Sequence, residues 1–173
     1  MIYGVTGLPL AGKTTVAELI EKQGYELVDM GDVVRQEMKD QGVPTEKTGE
    51  FVNNQREKNG MDAIAQLTVP YVEEASEKVV ITGMRGLKEK ERFEKELEEE
   101  IEMIAVWASK KVRKRRKEER MRDEDVKGDS FDKRDRRELE NGVGKLSMLS
   151  DHMIINEELS VEELEEEVNE IVR

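Results

Sequence analysis

The stretch Gly7-Leu8-Pro9-Leu10-Ala11-Gly12-Lys13-Thr14 decides the fold class of this 173-residue chain. It follows an apolar run at residues 2–6 that is typical of a β-strand, and a helical pattern at residues 13–23 follows it. A strand, a Gly-x4-Gly-Lys-Thr loop and a helix in this order are the context that a phosphate-binding loop requires. The sequence therefore predicts such a loop at this point.

The chemistry of the loop predicts how it would bind ATP or GTP. Gly7 and Gly12 permit backbone angles and a close approach that a side chain would block. The loop amides and the helix N-terminus form a concave anion site. We expect Lys13 to reach the β- and γ-phosphates and the Thr14 hydroxyl to ligate Mg²⁺. The predicted nucleotide-binding residues are Gly7, Leu8, Pro9, Leu10, Ala11, Gly12, Lys13, Thr14 and Thr15.

The rest of the chain alternates apolar runs with helical patterns, which is typical of a parallel α/β sheet. Further strands are predicted at residues 25–30, 78–82, 102–108 and 152–155. Helices are predicted at residues 32–40, 45–58, 62–75, 87–100 and 131–140, in the basic block after Ser109, and after Ser160. No repeat or linker interrupts this pattern, so we expect one domain over residues 1–173.

The composition excludes several other classes of protein. The chain has no cysteine and one histidine, which excludes disulfides and thiolate metal sites and fits a cytoplasmic protein. No stretch approaches the roughly 18 apolar residues of a membrane span, and the N-terminus lacks the pattern of a signal peptide. The net charge of −12 argues against a general nucleic-acid or membrane binder.

That charge is unevenly distributed along the chain. Residues 110–122 carry nine basic and two acidic residues, which leaves a net charge of −19 for the remainder. Arg113, Arg116 and Arg120 are spaced to share one helical stripe. One basic block in an acidic chain favours contact with phosphates, and a solvated helix face or an RNA-binding patch is the alternative interpretation.

Charged residues also follow the second and third predicted strands. Asp32 and Arg35 come after strand two and Arg85 after strand three, at the sheet edge where α/β proteins bind ligands. The sequence has no Asn-Lys-x-Asp for guanine recognition and no apolar run that ends in paired acids. These features favour a small phosphotransferase over a GTPase or a motor ATPase.

The chain resembles adenylate-kinase-type nucleoside monophosphate kinases, and most closely an archaeal branch often placed near dephospho-CoA kinases. The resemblance covers nearly the whole chain and is carried by GLPLAGKTT, MGDVVRQE, NGMDAIAQ, ITGMRG, the arginine-rich helix, DKRDRRELENGVG and SDHMIINEE. It implies a five-stranded parallel sheet of order 2-3-1-4-5, an acceptor-binding helical segment at about residues 31–77 and a lid at about residues 113–137. It also implies transfer of the γ-phosphoryl group of ATP, with Mg²⁺, to a nucleotide acceptor, AMP by default.

The resemblance assigns roles to individual residues. Asp32 and Arg35 would hold the acceptor nucleotide, Arg85 would contact its phosphate, and Asn156 lies where the donor adenine is cradled. Arginines of the lid would clamp the transferring phosphates, and Arg134 and Arg137 are also candidate acceptor ligands. The candidate lid arginines are Arg116, Arg120, Arg134 and Arg137. The candidate catalytic residues are Lys13, Arg116, Arg120, Arg85 and Asp32, and the candidate metal ligands are Thr14 and Asp32.

Two departures from the family pattern leave the acceptor open. Thr82 stands where adenylate kinases have an acid that orients the waters of Mg²⁺, so Asp29 or Asp32 would have to help. Gly83-Met84-Arg85 replaces the Phe-Pro-Arg of those enzymes. Transfer to a ribose hydroxyl, as in dephospho-CoA kinases, is therefore an alternative. A nucleotide-dependent switch, or an ATPase that binds RNA or a partner, is the alternative from another class.

Overall fold

A computed structural model of the protein describes residues 1–120 and 130–173, with Arg120 described by its backbone only. Five parallel strands form one sheet in the order β2-β3-β1-β4-β5. The strands are β1 (Ile2–Thr6), β2 (Glu26–Asp29), β3 (Val79–Thr82), β4 (Ile101–Trp107) and β5 (His152–Ile155). The predicted fold class and strand order are therefore confirmed.

Helices connect the strands and cover both faces of the sheet. In the described part of the chain they are α1 (Lys13–Glu21), α2 (Met30–Asp40), α3 (Thr48–Asn59), α4 (Ala63–Glu74), α5 (Leu87–Leu97), α6 (Lys110–Arg120), α7 (Phe131–Asn141), α8 (Val143–Met148) and α9 (Val161–Ile171). None of these helices is long and apolar enough to cross a bilayer. Part of the predicted lid, residues 121–129, lies outside the described residues.

The start of α2 differs from the prediction because a different aspartate caps it. The sequence pattern placed the start at Asp32, but the helix begins at Met30. Asp29 is the N-cap, and its side chain accepts a hydrogen bond of 2.9 Å from the backbone N–H of Asp32. Asp32 therefore lies in the first turn of α2, where its own carboxylate is available for other contacts.

The central strand β1 separates two hydrophobic cores. Tyr3 and Val5 face the core that α1 and α9 cover, and both are fully buried. On the other face Gly4 carries no side chain, and the methionines Met84 and Met103 fill that space. All strands are parallel, so their carboxyl ends meet at one edge of the sheet, and the loops that follow β1, β2 and β3 meet there.

The loop after β1 fits against β4 only because residue 7 is a glycine. A Cβ atom on Gly7 would lie 2.2 Å from the carbonyl oxygen of Val106, and the φ angle of Gly7 is +144°. By contrast, Gly49 in α3 has no atom within 4 Å of the place of a Cβ. A side chain at position 7 would therefore be strained, whereas a side chain at position 49 would fit without strain.

We predict that Gly7→Ala lowers the free energy of unfolding by about 1–3 kcal/mol, because its backbone would be strained and its Cβ would clash with Val106. Gly49→Ala should raise the free energy of unfolding by about 0.4–1 kcal/mol, because it only restricts the unfolded chain. Urea denaturation of both variants measures this. A Gly7→Ala protein as stable as the wild type would contradict the packing described here.

Candidate active site

Asn156, the residue after β5, forms part of the support of the phosphate-binding loop. It is 5% exposed, and its side-chain amide donates a hydrogen bond of 2.9 Å to the carbonyl of Ala11. A Cβ atom on Gly12 would lie 2.2 Å from that amide nitrogen, and the φ angle of Gly12 is +108°. The side chain predicted near the donor adenine thus contacts the loop itself and requires a glycine at position 12.

Side-chain donors bind the carbonyl oxygens of four successive residues of the loop. The pairs are Lys13 Nζ to Leu8 at 2.9 Å, Arg113 Nη1 to Pro9 at 3.1 Å, and Arg116 Nη1 to Leu10 at 3.1 Å and to Ala11 at 3.2 Å. In a planar trans peptide the carbonyl and the following N–H point in opposite directions. The N–H groups of Leu10 and Gly12 therefore point away from these donors, as an anion site requires.

Lys13 lies at the start of α1, and its ammonium is largely withdrawn from water. Burial lowers the pKa of Lys13 from its ordinary value of 10.5 to about 8. Glu138 acts against this shift, whereas Arg134, Arg85 and Arg113 add to it. Lys13 is therefore one member of a compact cluster of cations with a single carboxylate among the groups that affect it most.

The carboxylate in this cluster belongs to Glu138 of α7. Glu138 is 6% exposed, and its Oε2 lies 3.1 Å from Nε of Arg85, which follows β3. The structure thus brings together Lys13, Arg85 and Arg134, as the sequence predicted. It also adds Glu138 and Arg113, which sequence reasoning missed as members of the site.

Arg113 is a buried anchor between α6, α7 and the phosphate-binding loop. Its side chain is 3% exposed and pairs with both oxygens of Asp135, at 2.7 and 2.6 Å. It also donates to the carbonyls of Pro9 and Ala108. Because this guanidinium is saturated with protein partners, Arg113 holds the base of α6 and α7 together at the loop.

The predicted lid arginines differ from one another in their surroundings. Besides its two loop carbonyls, Arg116 donates to the carbonyl of Asn156 at 2.8 Å, so it joins the phosphate-binding loop to the chain after β5. Arg134 and Arg137 lie on an exposed part of α7, and Arg134 acts electrostatically on Lys13. The side chain of Arg120 lies outside the described residues.

In the predicted acceptor-binding segment, Asp29 rather than Asp32 supplies an acid next to Thr82. The Thr82 hydroxyl donates to Oδ2 of Asp29 at 2.6 Å. The Asp32 carboxylate pairs instead with Arg35, whose Nε lies 3.1 Å from it, and these side chains are 73% and 56% exposed. Of the two acids proposed to compensate for Thr82, Asp29 is therefore the one in contact with it.

A buried ion pair that the sequence did not reveal, between Arg56 and Glu89, holds the backbone of Arg85. Glu89 of α5 accepts a hydrogen bond of 2.6 Å from the backbone N–H of Arg85, and its other oxygen lies 3.5 Å from Arg56 of α3. Arg56 also donates to the side chain of Asn141 at 3.0 Å. Burial raises the pKa of Glu89, against the opposing effects of the Arg85 N–H and of Arg56.

Sequence comparisons show the family to which the chain belongs. A family model described as an AAA domain matches residues 6–130. The UPF0200 protein of Pyrobaculum aerophilum is 39% identical over 172 residues, which cover 99% of this chain and 96% of the relative. The chain belongs to the UPF0200 family. The UPF0200 protein of Pyrococcus furiosus is 40% identical over 164 residues, 91% of this chain and 88% of the relative.

The fold of this UPF0200 protein is that of the P-loop kinases. The crystal structure of shikimate kinase from Bacteroides thetaiotaomicron superposes with a TM-score of 0.66 and covers 99% of this chain and 96% of that chain. At 16% identity this likeness shows the fold alone. The archaeal relatives agree with the predicted archaeal branch. Neither comparison carries the adenylate-kinase specificity that the resemblance implied.

The side chains of this UPF0200 protein fit an Mg²⁺ ion that arrives with a nucleotide. Within residues 1–120 and 130–173, no group of three or more His, Cys, Asp or Glu side chains could hold a metal by itself. Mg²⁺ bound to substrate phosphates needs only one or two protein ligands and keeps several waters. Thr14, in the first turn of α1, and Asp29, at the same edge of the sheet, have the oxygen chemistry for that role.

The depressed pKa of Lys13 predicts how anion binding depends on pH. As the pH rises through about 8, Lys13 loses its charge, so the affinity of the loop for pyrophosphate without metal should fall. Isothermal titration calorimetry between pH 6.5 and 9.5 with EDTA measures this, and Lys13→Met gives the background pH dependence of pyrophosphate. If the ratio of the pyrophosphate affinities of the two proteins stayed constant up to pH 9.5, Lys13 would not titrate as described.

Proposed function

We propose that this UPF0200 protein is an ATP-dependent kinase that transfers the γ-phosphoryl group to a nucleotide acceptor, with AMP as the first acceptor to test. The observation that supports this most is the cluster of Lys13, Arg85 and Arg134 at the mouth of the phosphate-binding loop. Phosphoryl transfer requires positive charge where the transferring oxygens gather negative charge.

The donor nucleotide is held in this proposal by residues 7–15. Lys13 would exchange its bond to the Leu8 carbonyl for the β- and γ-phosphates, and Thr14 would ligate Mg²⁺. The bound Mg²⁺ neutralises charge on the phosphates. Arg116 and Asn156 keep the loop in shape beside the place for the donor base, so Arg116 acts on nucleotide binding as well as on the transferring group.

The acceptor lies in this proposal between α2 and the loop after β3. Arg35 is exposed and pairs at the surface with Asp32 and, at 3.6 Å, with Asp29, so it can turn to an acceptor group. In this proposal Arg85 lies between Arg35 and Lys13, and it would contact the acceptor phosphate. The segment from α6 to α7, about residues 113–137, would exclude water that otherwise hydrolyses ATP.

A specific observation favours a second candidate, transfer to a sugar hydroxyl. A hydroxyl nucleophile needs a group that accepts its proton, whereas a phosphate nucleophile does not. The Asp29 carboxylate lies at the end of β2, bonded to the Thr82 hydroxyl at the edge where the acceptor would bind. This supports a dephospho-CoA kinase-like reaction as the alternative acceptor chemistry.

An acceptor screen tests the proposal. The protein is incubated with ATP and Mg²⁺ and a panel of nucleoside monophosphates, dephospho-CoA and nucleosides, and products are read by ³¹P NMR. New diphosphate signals are expected, and new monoester signals would favour the hydroxyl alternative. Release of inorganic phosphate at a rate that no acceptor changes would contradict the kinase assignment.

We predict that Lys13→Ala abolishes transfer in that assay, because in the described chain Lys13 is the lysine that adjoins the loop carbonyls. Lys22→Ala, at the exposed end of α1, is the matched control and should keep wild-type turnover. Turnover near the wild-type rate in Lys13→Ala would exclude this loop as the donor site.

The contacts of the basic helix α6 give less support to the alternative function, the binding of RNA or a partner. Two arginines of α6 are engaged within the protein, since Arg113 is buried against Asp135 and Arg116 is bonded to the phosphate-binding loop. Lys110 and Arg115 form exposed ion pairs, with Asp132 at 2.6 Å and with Glu158 at 3.2 Å. A nucleic-acid patch needs cations that face the solvent and act additively.

Two substitutions on α6 separate the alternatives. Arg116→Ala should lower kcat/KM for ATP by about 10- to 100-fold, because charge-assisted hydrogen bonds to the loop are lost. Lys111→Ala, on the exposed side of the same helix, should leave kcat/KM unchanged. Steady-state kinetics and RNA titrations measure both. Small and equal effects on transfer, with a parallel loss of RNA affinity, would favour the RNA-binding function.

A further inference from the structure

Glu138 is a buried carboxylate within a cluster of cations, although its helix is otherwise strongly charged and exposed. The next two residues of α7, Leu139 and Glu140, are both exposed, whereas Glu138 is 6% exposed. Its Oε2 lies 3.1 Å from Nε of Arg85, and it is the anion with the largest effect on Lys13. A buried carboxylate is unfavourable unless cations compensate it, and here the compensating cations belong to the phosphate site.

Contacts other than those of Glu138 also hold α7 in place. The middle of α7 is held by the two-oxygen pair of Asp135 with Arg113, at 2.7 and 2.6 Å. Its end is fixed by the hydrogen bond from Arg56 to Asn141 at 3.0 Å. Since the middle and the end of α7 are held by other contacts, we look for the reason for the buried position of Glu138 in the cations that it faces.

The side chain of Arg85 can leave Glu138 without disturbing its backbone. The backbone N–H of Arg85 is held by Glu89 at 2.6 Å, and Glu89 is itself paired with Arg56. The Arg85 side chain is 42% exposed, in contrast to its partner Glu138. The backbone of the loop after β3 is thus fixed by one buried glutamate while the guanidinium is free to exchange its contact with the other.

We propose that Glu138 is an internal anion that occupies the acceptor-phosphate position between Arg85 and Lys13, and that the acceptor's phosphate displaces it from Arg85. This inference rests on the proposed function in assigning Arg85 to the acceptor phosphate. A phosphomonoester carries about −1.5 to −2 charges near neutral pH, and a carboxylate carries one. A phosphomonoester can therefore displace Glu138, whereas a carboxylate of equal charge gains nothing by doing so.

The displaced carboxylate remains close to a cation. Arg134 lies four residues before Glu138 on α7, and therefore on the same face one turn away. Before the acceptor arrives, Glu138 offsets part of the positive charge that would stabilise transfer. This makes Glu138 a specificity-determining residue: the full charge of Arg85 becomes available when a phosphate-bearing acceptor is bound.

Binding of inorganic phosphate, measured by isothermal titration calorimetry at pH 6.5 without nucleotide or metal, tests this inference. Glu138→Gln keeps the shape but removes the charge, and it should bind phosphate roughly tenfold more tightly than the wild type. Glu138→Asp keeps the charge and should stay within about twofold of the wild type. Glu140→Gln, the exposed acid on the same helix, is the matched control and should behave as the wild type.

A double-mutant cycle identifies Arg85 as the residue through which Glu138 acts. In the Arg85→Met background, Glu138→Gln should improve phosphate affinity by less than about twofold, because the cation that Glu138 neutralises is absent. Unchanged or weaker phosphate binding by Glu138→Gln in the presence of Arg85 would overturn the inference. A gain that persists in the Arg85→Met background would also overturn it.

The outcome is separable from that of the acceptor screen. Phosphate binding requires no transfer, so a tenfold gain in Glu138→Gln supports the internal anion even if every acceptor in the panel fails. Conversely, transfer to AMP with no gain in phosphate affinity would keep the kinase assignment and remove this role of Glu138. Thermal unfolding of each variant confirms that the compared proteins are folded.

Discussion

The site depends on the direction of the loop carbonyls between Leu8 and Ala11. Each of these four oxygens accepts a hydrogen bond from a side chain, and the donors come from α1, α6 and the end of β5. Because each peptide unit is planar, the N–H groups of Leu10 and Gly12 point away from the donors that hold the preceding carbonyls. The anion site is thus formed by distant parts of the chain acting on the loop, and the glycines allow that backbone to be adopted.

The same donors determine how α6 and α7 approach the loop. Arg113 reaches the loop through the carbonyl of Pro9 and reaches α7 through Asp135, so the loop and the return helix share one buried guanidinium. This packing brings the buried Glu138 of α7 into the surroundings of Lys13, and Arg134, on the exposed part of the helix, also acts electrostatically on Lys13. The low pKa of Lys13 and the balance of charge around it follow from this packing, since burial and neighbouring arginines both disfavour a further positive charge.

The sequence predicted the parts of this design that depend on local pattern. The loop, the five strands and the position of Arg85 follow from glycine spacing, apolar runs and the strand ends, and the resemblance supplied the strand order. The sequence pattern predicted that α2 begins at Asp32, two residues after its observed start at Met30. Asp29 and Asp32 are both good N-caps, and only the fold shows which one is used. The burial of Glu89 and Glu138 could not be predicted, since α5 and α7 are rich in charged residues and nothing in the local sequence distinguishes the buried acid from its exposed neighbours.

The predicted acceptor-binding segment and the loop after β3 are held by two kinds of ion pair, one exposed and one buried. At the surface, Asp32 and Arg35 form an exposed pair. Such pairs contribute little to the free energy of folding, so either partner can turn to a ligand. In the interior, Arg56 and Glu89 are nine-tenths or more buried, and removing one partner would leave an uncompensated charge away from water. The interior pair therefore holds the backbone at Arg85 in place. The exposed pair of Asp32 and Arg35 can exchange its contacts without disturbing that interior, because the two pairs share no residue.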